Sequence, residues 1–477
     1  MEFNSIDFGI FFTIVFISYW ILFNKNIKQR NIFLILISYL FYGWWDWRFL
    51  SLVIISSFID FIIGNKIYEE TDKTKKKRLL LISLSVNLGF LGFFKYFNFF
   101  IGNFVEAFSF LGLETDSIYL NIILPVGISF YTFQTLSYTI DIYNKKFEPT
   151  KDLSAFFAFV SFFPQLVAGP IERAKNFLPQ FYELRPISYD LIRSGLLLMT
   201  LGFFKKIVIA DRLSLFVNSA YSDLQNIDGV VAIFAIIFFA FQLYFDFSAY
   251  SDIAIGSART IGFKLSKNFN SPYLSSSFSK FWNRWHISLS SWFKDYLYIP
   301  LGGNRASSIK VTQNILVVFI VSGLWHGASW NFIIWGLING LFIILLDPIL
   351  NKRHNELYSK ISKAIFVSLA WALSLVFFRS QTFYDAFTMF ENLFKGNKNI
   401  LYNYSLNSIE FIFTIGLLIF YMLFEILVEV YPNIYKLIIN MHFLIRWSLY
   451  LSIISFIILC GSYGLDVDDS NFIYFQF

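Results

Sequence analysis

Apolar residues form long, nearly uncharged stretches along most of the chain, and polar residues collect in the shorter segments between them. Stretches of spanning or near-spanning length lie near residues 8–23, 31–44, 49–63, 79–94, 97–113, 118–140, 152–169, 191–210, 229–250, 311–326, 328–346, 362–378, 408–430 and 443–462. A helix needs about 20 apolar residues to cross a bilayer, and several of these stretches are shorter. The pattern therefore predicts an all-α, polytopic membrane protein with about 11 to 13 transmembrane helices and some re-entrant segments.

Composition and charge agree with this class of protein. The 477 residues are 56% hydrophobic and only 15% charged, against a charged fraction of about 25% in soluble domains. The basic loops Lys25–Arg30, Lys66–Arg78 and Lys145–Lys151 are predicted to be cytoplasmic, which explains the net charge of +6 without a nucleic-acid partner. With this orientation the stretch 79–113 crosses once, with one part re-entrant or interfacial. Residues 1–477 are expected to form a single integral-membrane domain.

One histidine lies inside a stretch without charged residues. His326 stands in Ser322-Gly-Leu-Trp-His-Gly-Ala-Ser-Trp-Asn331, and residues 311–346 contain no Lys, Arg, Asp or Glu. This stretch is too long for one span, so it is predicted to be two helices or one broken helix meeting near residues 327–329. An ionisable side chain in hydrocarbon is costly and usually functional, although a histidine that only packs between helices is the simpler alternative.

A polar segment, residues 265–305, interrupts the membrane pattern. From Phe278 to Tyr296 the aromatic residues recur at the spacing of one helix face, which predicts an amphipathic helix ended by Pro300 and a turn over residues 302–305. His286 is predicted at the edge of the aromatic stripe. Such a helix either lies in the membrane interface or is drawn into the protein as the roof of a cavity, and periodicity favours neither.

Several long motifs resemble one known family. They are Leu124-Pro-Val-Gly-Ile-Ser-Phe-Tyr-Thr-Phe-Gln134, Phe163-Pro-Gln-Leu-Val-Ala-Gly-Pro-Ile-Glu-Arg173, Tyr244-Phe-Asp-Phe-Ser-Ala-Tyr-Ser-Asp252, Trp285-His-Ile-Ser-Leu-Ser-Ser-Trp-Phe-Lys-Asp-Tyr-Leu-Tyr-Ile-Pro-Leu-Gly-Gly-Asn-Arg305, Gly323-Leu-Trp-His-Gly-Ala328 and Phe472-Ile-Tyr-Phe-Gln-Phe477. The chain resembles the membrane-bound O-acyltransferase (MBOAT) family, and within it the branch of alginate O-acetyltransferase membrane subunits. The resemblance implies a helical bundle around a central tunnel, with His326 as the family's signature histidine and His286 as its second histidine.

Acyl transfer from a thioester to a hydroxyl needs a base and hydrogen-bond donors for the developing oxyanion. His326 is the candidate base, and His286 the candidate for orienting the substrate or polarising its carbonyl. The candidate substrate-binding residues are Arg284, Asp295, Asn304, Arg305, Trp325, Ser329 and Asn331. No metal site and no permanently bound cofactor are expected; a haem ligated by the two histidines is an alternative.

The other titratable residues are predicted to be structural. His354 and His442 are expected to be interfacial, and Asp246, Asp252 and Arg259 to form pairs or face water. Cys460 is the only cysteine, which excludes an intrachain disulfide.

The resemblance implies a multi-pass protein of the bacterial plasma (inner) membrane that takes acetyl from acetyl-coenzyme A, a cytoplasmic thioester. A separate extracytoplasmic acetyltransferase would complete O-acetylation of an exported polysaccharide. Phe281-Trp-Asn-Arg284 is more similar to the D-alanyl-transfer branch, so D-alanyl transfer to a cell-wall polymer is an alternative. A transporter or a non-catalytic scaffold is a third reading.

Overall fold

A computed structural model describes residues 1–111, 119–351, 357–396, 404–431, 434–463 and 472–473. Regular secondary structure within these ranges is helical. Nine helices or continuous helical runs of the described residues are long and apolar enough to span a membrane. One of them, residues 27–69, comprises two helices of 20 residues each, joined by a 3-10 turn. The prediction of an all-α, polytopic membrane protein is confirmed, and the central tunnel stays a prediction.

The chain forms two compact units. The first consists of residues 1–195, 257–266 and 327–329, and the second of residues 196–256, 267–326 and 330–477. Both histidines of interest belong to the second unit. The organisation as a single domain stays a prediction.

The first unit holds the helices of the N-terminal part of the chain. They are α1 (Ile6–Ser18), α2 (Ile27–Asp46), α3 (Leu50–Glu69), α4 (Lys73–Leu91), α5 (Phe97–Phe110), α6 (Ile128–Tyr143), α7 (Leu153–Ser161), α8 (Phe163–Leu166) and α9 (Ala174–Phe177). The side chains of Ser5, Asn26 and Asp72 accept first-turn N–H groups and so fix the starts of α1, α2 and α4. The apolar stretch 152–169 is divided between α7 and α8, each far shorter than a span.

The later helices include those that carry the histidines. They are α10 (Tyr189–Phe203), α11 (Asp211–Ser222), α12 (Gly229–Thr260), α13 (Phe278–Trp282), α14 (Ile287–Phe293), α15 (Ser308–His326), α16 (Trp330–Leu341), α17 (Asp347–Asn351), α18 (Leu357–Arg379), α19 (Phe383–Asn392), α20 (Ser408–Val430), α21 (Ile434–Asn440) and α22 (Phe443–Cys460). Segments of π-helix follow several of them, at Phe204–Ala210, Lys294–Tyr298 and Phe342–Leu346. The predicted break in the stretch 311–346 is confirmed, because α15 ends at His326 and α16 begins at Trp330.

Helices α15 and α16 pack with their backbones in direct contact. A Cβ atom on Gly323 would collide with the carbonyl oxygen of Phe332, and one on Gly336 would collide with that of Phe319. The absence of a side chain at these two glycines lets the helices approach this closely, as small residues do in membrane helix pairs. The contact fixes the position of His326 at the end of α15.

The prediction of one amphipathic helix from Phe278 to Tyr296 is wrong. The segment forms two short helices, α13 and α14, followed by the π-helical segment Lys294–Tyr298. His286 interrupts the helix because its backbone is left-handed, with φ at 43°, so it caps α14 instead of lying at the edge of a stripe. The aromatic residues are nonetheless buried; Phe281 is 0% and Trp285 3% exposed. Burial favours the interior placement of this segment over the interfacial one.

Candidate active site

His286 is held in a buried loop by backbone and side-chain hydrogen bonds to residue 268. The ring is 1% exposed, and its Nδ1 atom lies 3.2 Å from the Oδ1 atom of Asn268. The backbone N–H of Ile287 donates to the carbonyl oxygen of Asn268 at 2.9 Å. The amide nitrogen of Asn268 in turn donates to the hydroxyl of Ser251 on α12 at 3.1 Å. These contacts tie the unusual backbone at His286 to the long helix α12.

The hydrogen bonds around Asn268 determine which nitrogen of His286 carries the proton. Oδ1 of Asn268 also accepts the backbone N–H of Ser288 at 3.2 Å and its hydroxyl at 2.9 Å. An amide oxygen has no proton to donate, so Nδ1 of His286 is the donor and Nε2 of the neutral ring is left with its lone pair. Burial lowers the pKa of His286 to about 3, and the ring is therefore neutral at ordinary pH.

His326 is the last residue of α15 and is also buried, with 5% exposure. Its ring packs edge-to-face against Trp335 of α16, with centroids 5.1 Å apart, and against Phe378 of α18 at 5.5 Å. Three helices therefore enclose the imidazole, and aromatic side chains form two sides of its surroundings. Such packing preorganises a side chain for chemistry, although it also satisfies the simpler reading of a core histidine.

Trp325 brings the two histidines into one site. Its ring centroid lies 6.0 Å from that of His286 and 5.0 Å from that of His326, and the indole is 4% exposed. On its other side, His286 packs edge-to-face on Phe247 of α12 at 4.7 Å. Two residues that lie 40 positions apart in the sequence thus share one buried aromatic wall.

Two other predicted site residues, Asn331 and Arg284, form hydrogen bonds or ion pairs within the protein. Asn331 is buried on α16, and one of its two amide N–H groups donates to the carbonyl oxygen of Ser380 at 2.8 Å. Arg284 pairs with Glu429 of α20 at 2.7 Å.

The other four candidates lie in turns or connections. Asp295 is half-buried in the π-helical segment Lys294–Tyr298, and Ser329 is half-buried in the connection between α15 and α16. Asn304 and Arg305 are exposed in the 3-10 turn Gly303–Arg305, where Asn304 accepts the hydroxyl of Tyr298. Substrate binding by these residues stays a prediction.

The predicted pairing of Asp246 and Asp252 is confirmed, and the interfacial placement of His442 stays a prediction. Asp246 and Asp252 of α12 pair with Lys206 at 2.8 Å and with Lys205 at 2.7 Å. His442 is exposed at the start of α22, whereas His354 lies outside the described residues.

Sequence reasoning missed Asn268. It stands 18 positions before His286 in a polar segment, and only the fold reveals that it contacts the ring. In the described part of the chain, His, Cys, Asp and Glu side chains do not gather in a group of three or more that could hold a metal.

The sequence profile of the membrane-bound O-acyltransferase family matches residues 40–354 of this chain. These residues include both histidines, Asn268 and the aromatic segment between them. The chain belongs to the membrane-bound O-acyltransferase family, and it is a membrane O-acyltransferase.

Comparison with named proteins shows which members of the family this chain resembles. The chain is 37% identical over 395 residues to a probable alginate O-acetylase of Pseudomonas putida, covering 83% of this chain and 80% of the relative. It is 35% identical over 436 residues to a peptidoglycan O-acetyltransferase of Helicobacter pylori, covering 84% and 81%. It is 28% identical over 232 residues to a teichoic acid D-alanyltransferase of Bacillus subtilis, covering 47% of this chain and 59% of the relative. The resemblance to relatives named for acetyl transfer therefore extends over much more of the chain.

Proposed function

We propose that this chain takes an acetyl group from a cytoplasmic thioester, acetyl-coenzyme A, and that His326 and His286 transfer it to a hydroxyl group. The placement of both imidazoles against the buried Trp325 is the observation that most supports this reaction. A dry, aromatic site strengthens hydrogen bonds to developing charge and protects a thioester from hydrolysis.

The two histidines have different chemical roles. His286 has a pKa of about 3 because of its burial, which makes it a poor proton acceptor. Its Nδ1–H is occupied by Asn268, so Nε2 can accept a hydrogen bond but cannot donate one to a carbonyl oxygen. Orienting the acceptor hydroxyl therefore suits His286 better than polarising the thioester carbonyl. His326 is left as the general base.

The reaction conserves atoms and charge without a covalent enzyme intermediate. His326 takes the hydroxyl proton as the oxygen attacks the thioester carbon, the C–S bond breaks, and the proton is returned to the departing thiolate. A donor is needed for the transient oxyanion. The indole N–H of Trp325, whose ring contacts both imidazoles, is the candidate.

The proposed cellular role is O-acetylation of an exported cell-envelope polysaccharide. The chain would lie in the bacterial plasma (inner) membrane, and a separate extracytoplasmic acetyltransferase would pass the acetyl group to the polymer. The relatives named for alginate and for peptidoglycan support a polysaccharide acceptor. D-alanyl transfer is the second candidate, supported by Asn283 and by the shorter resemblance to D-alanyltransferases.

The test compares cells that express the wild-type chain, His326→Ala or His442→Ala at equal membrane levels. Base-labile acetate in the envelope polysaccharide should fall by about a hundredfold or more in His326→Ala, because a general base contributes about 10²- to 10⁴-fold. The His442→Ala control changes an exposed ring outside the site and should keep wild-type acetylation. Retained acetylation in His326→Ala would support a scaffold instead, and release of D-alanine instead of acetate would support the second candidate.

A further inference from the structure

A narrow apolar groove runs along α18 in the second unit, between α12 and α20. Its volume is about 510 Å³, and its inner wall includes the buried residues Ala240 and Ala372. Its outer rim includes Ile361 and Ile365, which are 51% and 55% exposed. Exposed apolar side chains on spanning helices face the hydrocarbon of the bilayer. The groove is therefore open to lipid.

The dimensions of the groove match one extended hydrocarbon chain. The residues of α18 that line it extend from Lys360 to Ala372, which is about 18 Å at 1.5 Å per residue. One leaflet of a bilayer is about 15 Å deep, half of the roughly 30 Å hydrocarbon core. The length of the groove therefore suits an acyl chain that spans one leaflet.

The groove is charged at the start of α18, where Lys360 lines it, and Glu429 near the end of α20 lines it as well. The carboxylate of Glu429 is paired with Arg284 at 2.7 Å, so the three side chains carry a net charge of about +1. From Lys360 to Ala372 the other residues of α18 that line the groove are apolar except Ser368, whose hydroxyl donates to the carbonyl oxygen of Tyr273.

We propose that this groove binds one acyl chain of an anionic membrane phospholipid, with the phosphate at the level of Lys360. The ammonium of Lys360 would bind the negatively charged phosphate, and the apolar part of the groove, which is about as long as one leaflet, would bind the acyl chain. Because Arg284 is two residues from His286, the bound headgroup lies beside the segment that carries one of the site histidines.

The first test uses the full-length protein in nanodiscs that contain phosphatidylglycerol with a photoreactive acyl chain. Adducts should concentrate on α18 and α20, for example at Met422. Ala364→Phe places a ring in the groove and should reduce these adducts about tenfold. This is the loss of affinity expected when the ring keeps roughly two CH₂ groups of the acyl chain out of the groove. Ser362→Phe adds the same ring at an exposed position of α18 outside the groove, and its adduct level should equal that of the wild type.

A second variant tests the headgroup without altering the apolar wall. Lys360→Gln should reduce phosphatidylglycerol adducts about fivefold, because a basic residue near the membrane surface contributes roughly that factor. Lys363→Gln, which changes a lysine outside the groove, is its matched control. Equal labelling of the groove and of α22, no effect of either groove variant, or cross-links between two protein copies at α18 would overturn the proposal.

Discussion

The side-chain oxygen of Asn268 lies 3.2 Å from Nδ1 of His286, and it also accepts both hydrogen-bond donors of Ser288. One buried amide thus holds the left-handed backbone turn at His286 and determines which nitrogen of the neutral ring carries the proton. We infer that Asn268 affects catalysis as a positioning residue, through His286, without contacting the substrate itself.

Substitution of Asn268 should change catalysis in two distinguishable ways. Asn268→Leu removes the acceptor, and we expect acyl transfer to fall about ten- to a hundredfold at every pH, because a misaligned ring loses about 1–3 kcal/mol of hydrogen bonding. Asn268→Asp keeps the acceptor but adds a negative charge, which raises the pKa of His286. Activity of this variant should then fall as the pH is lowered through the new pKa. Initial rates of thioester consumption at several pH values test both variants.

Asn392→Leu is the control for the loss of a buried amide in the same unit. Asn392 is fully buried, and its amide donates to the carbonyl oxygen of Leu224, outside the histidine site. The Asn392→Leu variant should be less stable than the wild type but keep the wild-type pH profile of acyl transfer. If Asn268→Asp also kept that profile, the role assigned to Asn268 would be wrong.

The close packing of α15 and α16 predicts a strong effect of a single methyl group. Gly336→Ala forces a Cβ into the carbonyl oxygen of Phe319, so the helices must separate and His326 must move. Overpacking of this kind costs about 1–3 kcal/mol, and we expect a lower thermal unfolding temperature together with a large loss of acyl transfer. The same substitution at Gly416 of α20 meets open space. Gly416→Ala should be neutral or slightly stabilising, because alanine favours helix by about 1 kcal/mol.

Much of the fold was predictable because membrane-spanning helices are encoded locally. The length of the stretch 311–346 and the glycine at 327 correctly placed the break next to His326. The uncharged sequence around His326 also correctly predicted that this histidine is buried, and its place in a catalytic site stays a prediction. Both inferences need only the sequence near one residue.

The segment around His286 was not predictable in the same way. Aromatic spacing from Phe278 to Tyr296 is helical, and periodicity carries no sign of a left-handed residue inside it. The break is accompanied by hydrogen bonds that Ile287 and His286 donate to residue 268, which is distant in sequence. The convergence of both histidines on Trp325 likewise arises from tertiary packing.

The buried ion pairs on α12 should be essential for stability. The ammonium of Lys206 lies 2.8 Å from Asp246 and 2.9 Å from Asp211, and the other oxygen of Asp246 accepts the backbone N–H of Ile473. Lys206→Met leaves two buried carboxylates without their cation and should cost about 3–5 kcal/mol. Lys146→Met removes a lysine whose side chain is 55% exposed and whose partner is 4.0 Å away, so its cost should be within about 1 kcal/mol. Thermal unfolding in detergent measures the stability of both variants. Equal losses of stability would contradict the structural role of the buried Lys206.

The neutral, buried ring of His286 predicts a specific loss of stability in acid. Its pKa is about 3 in the folded protein, against about 6.5 when unfolded, so below pH 6.5 the unfolded chain binds a proton that the folded chain does not. The contribution of His286 to the free energy of unfolding is constant above pH 6.5 and decreases by about 1.4 kcal/mol per pH unit below it. At pH 5 the loss is about 2 kcal/mol.

A comparison of variants separates this effect from those of other groups. Burial raises the pKa of Glu172, which by itself stabilises the folded chain as the pH falls, so the wild-type slope is a sum of opposing terms. His286→Gln removes only the histidine term. Its unfolding temperature should therefore decrease less than that of the wild type between pH 7.5 and pH 5, while His442→Gln, which changes an exposed ring, should keep the wild-type slope. Identical slopes for wild type and His286→Gln would show that His286 is protonated in the folded protein, and His286 could then no longer be assigned an unprotonated Nε2.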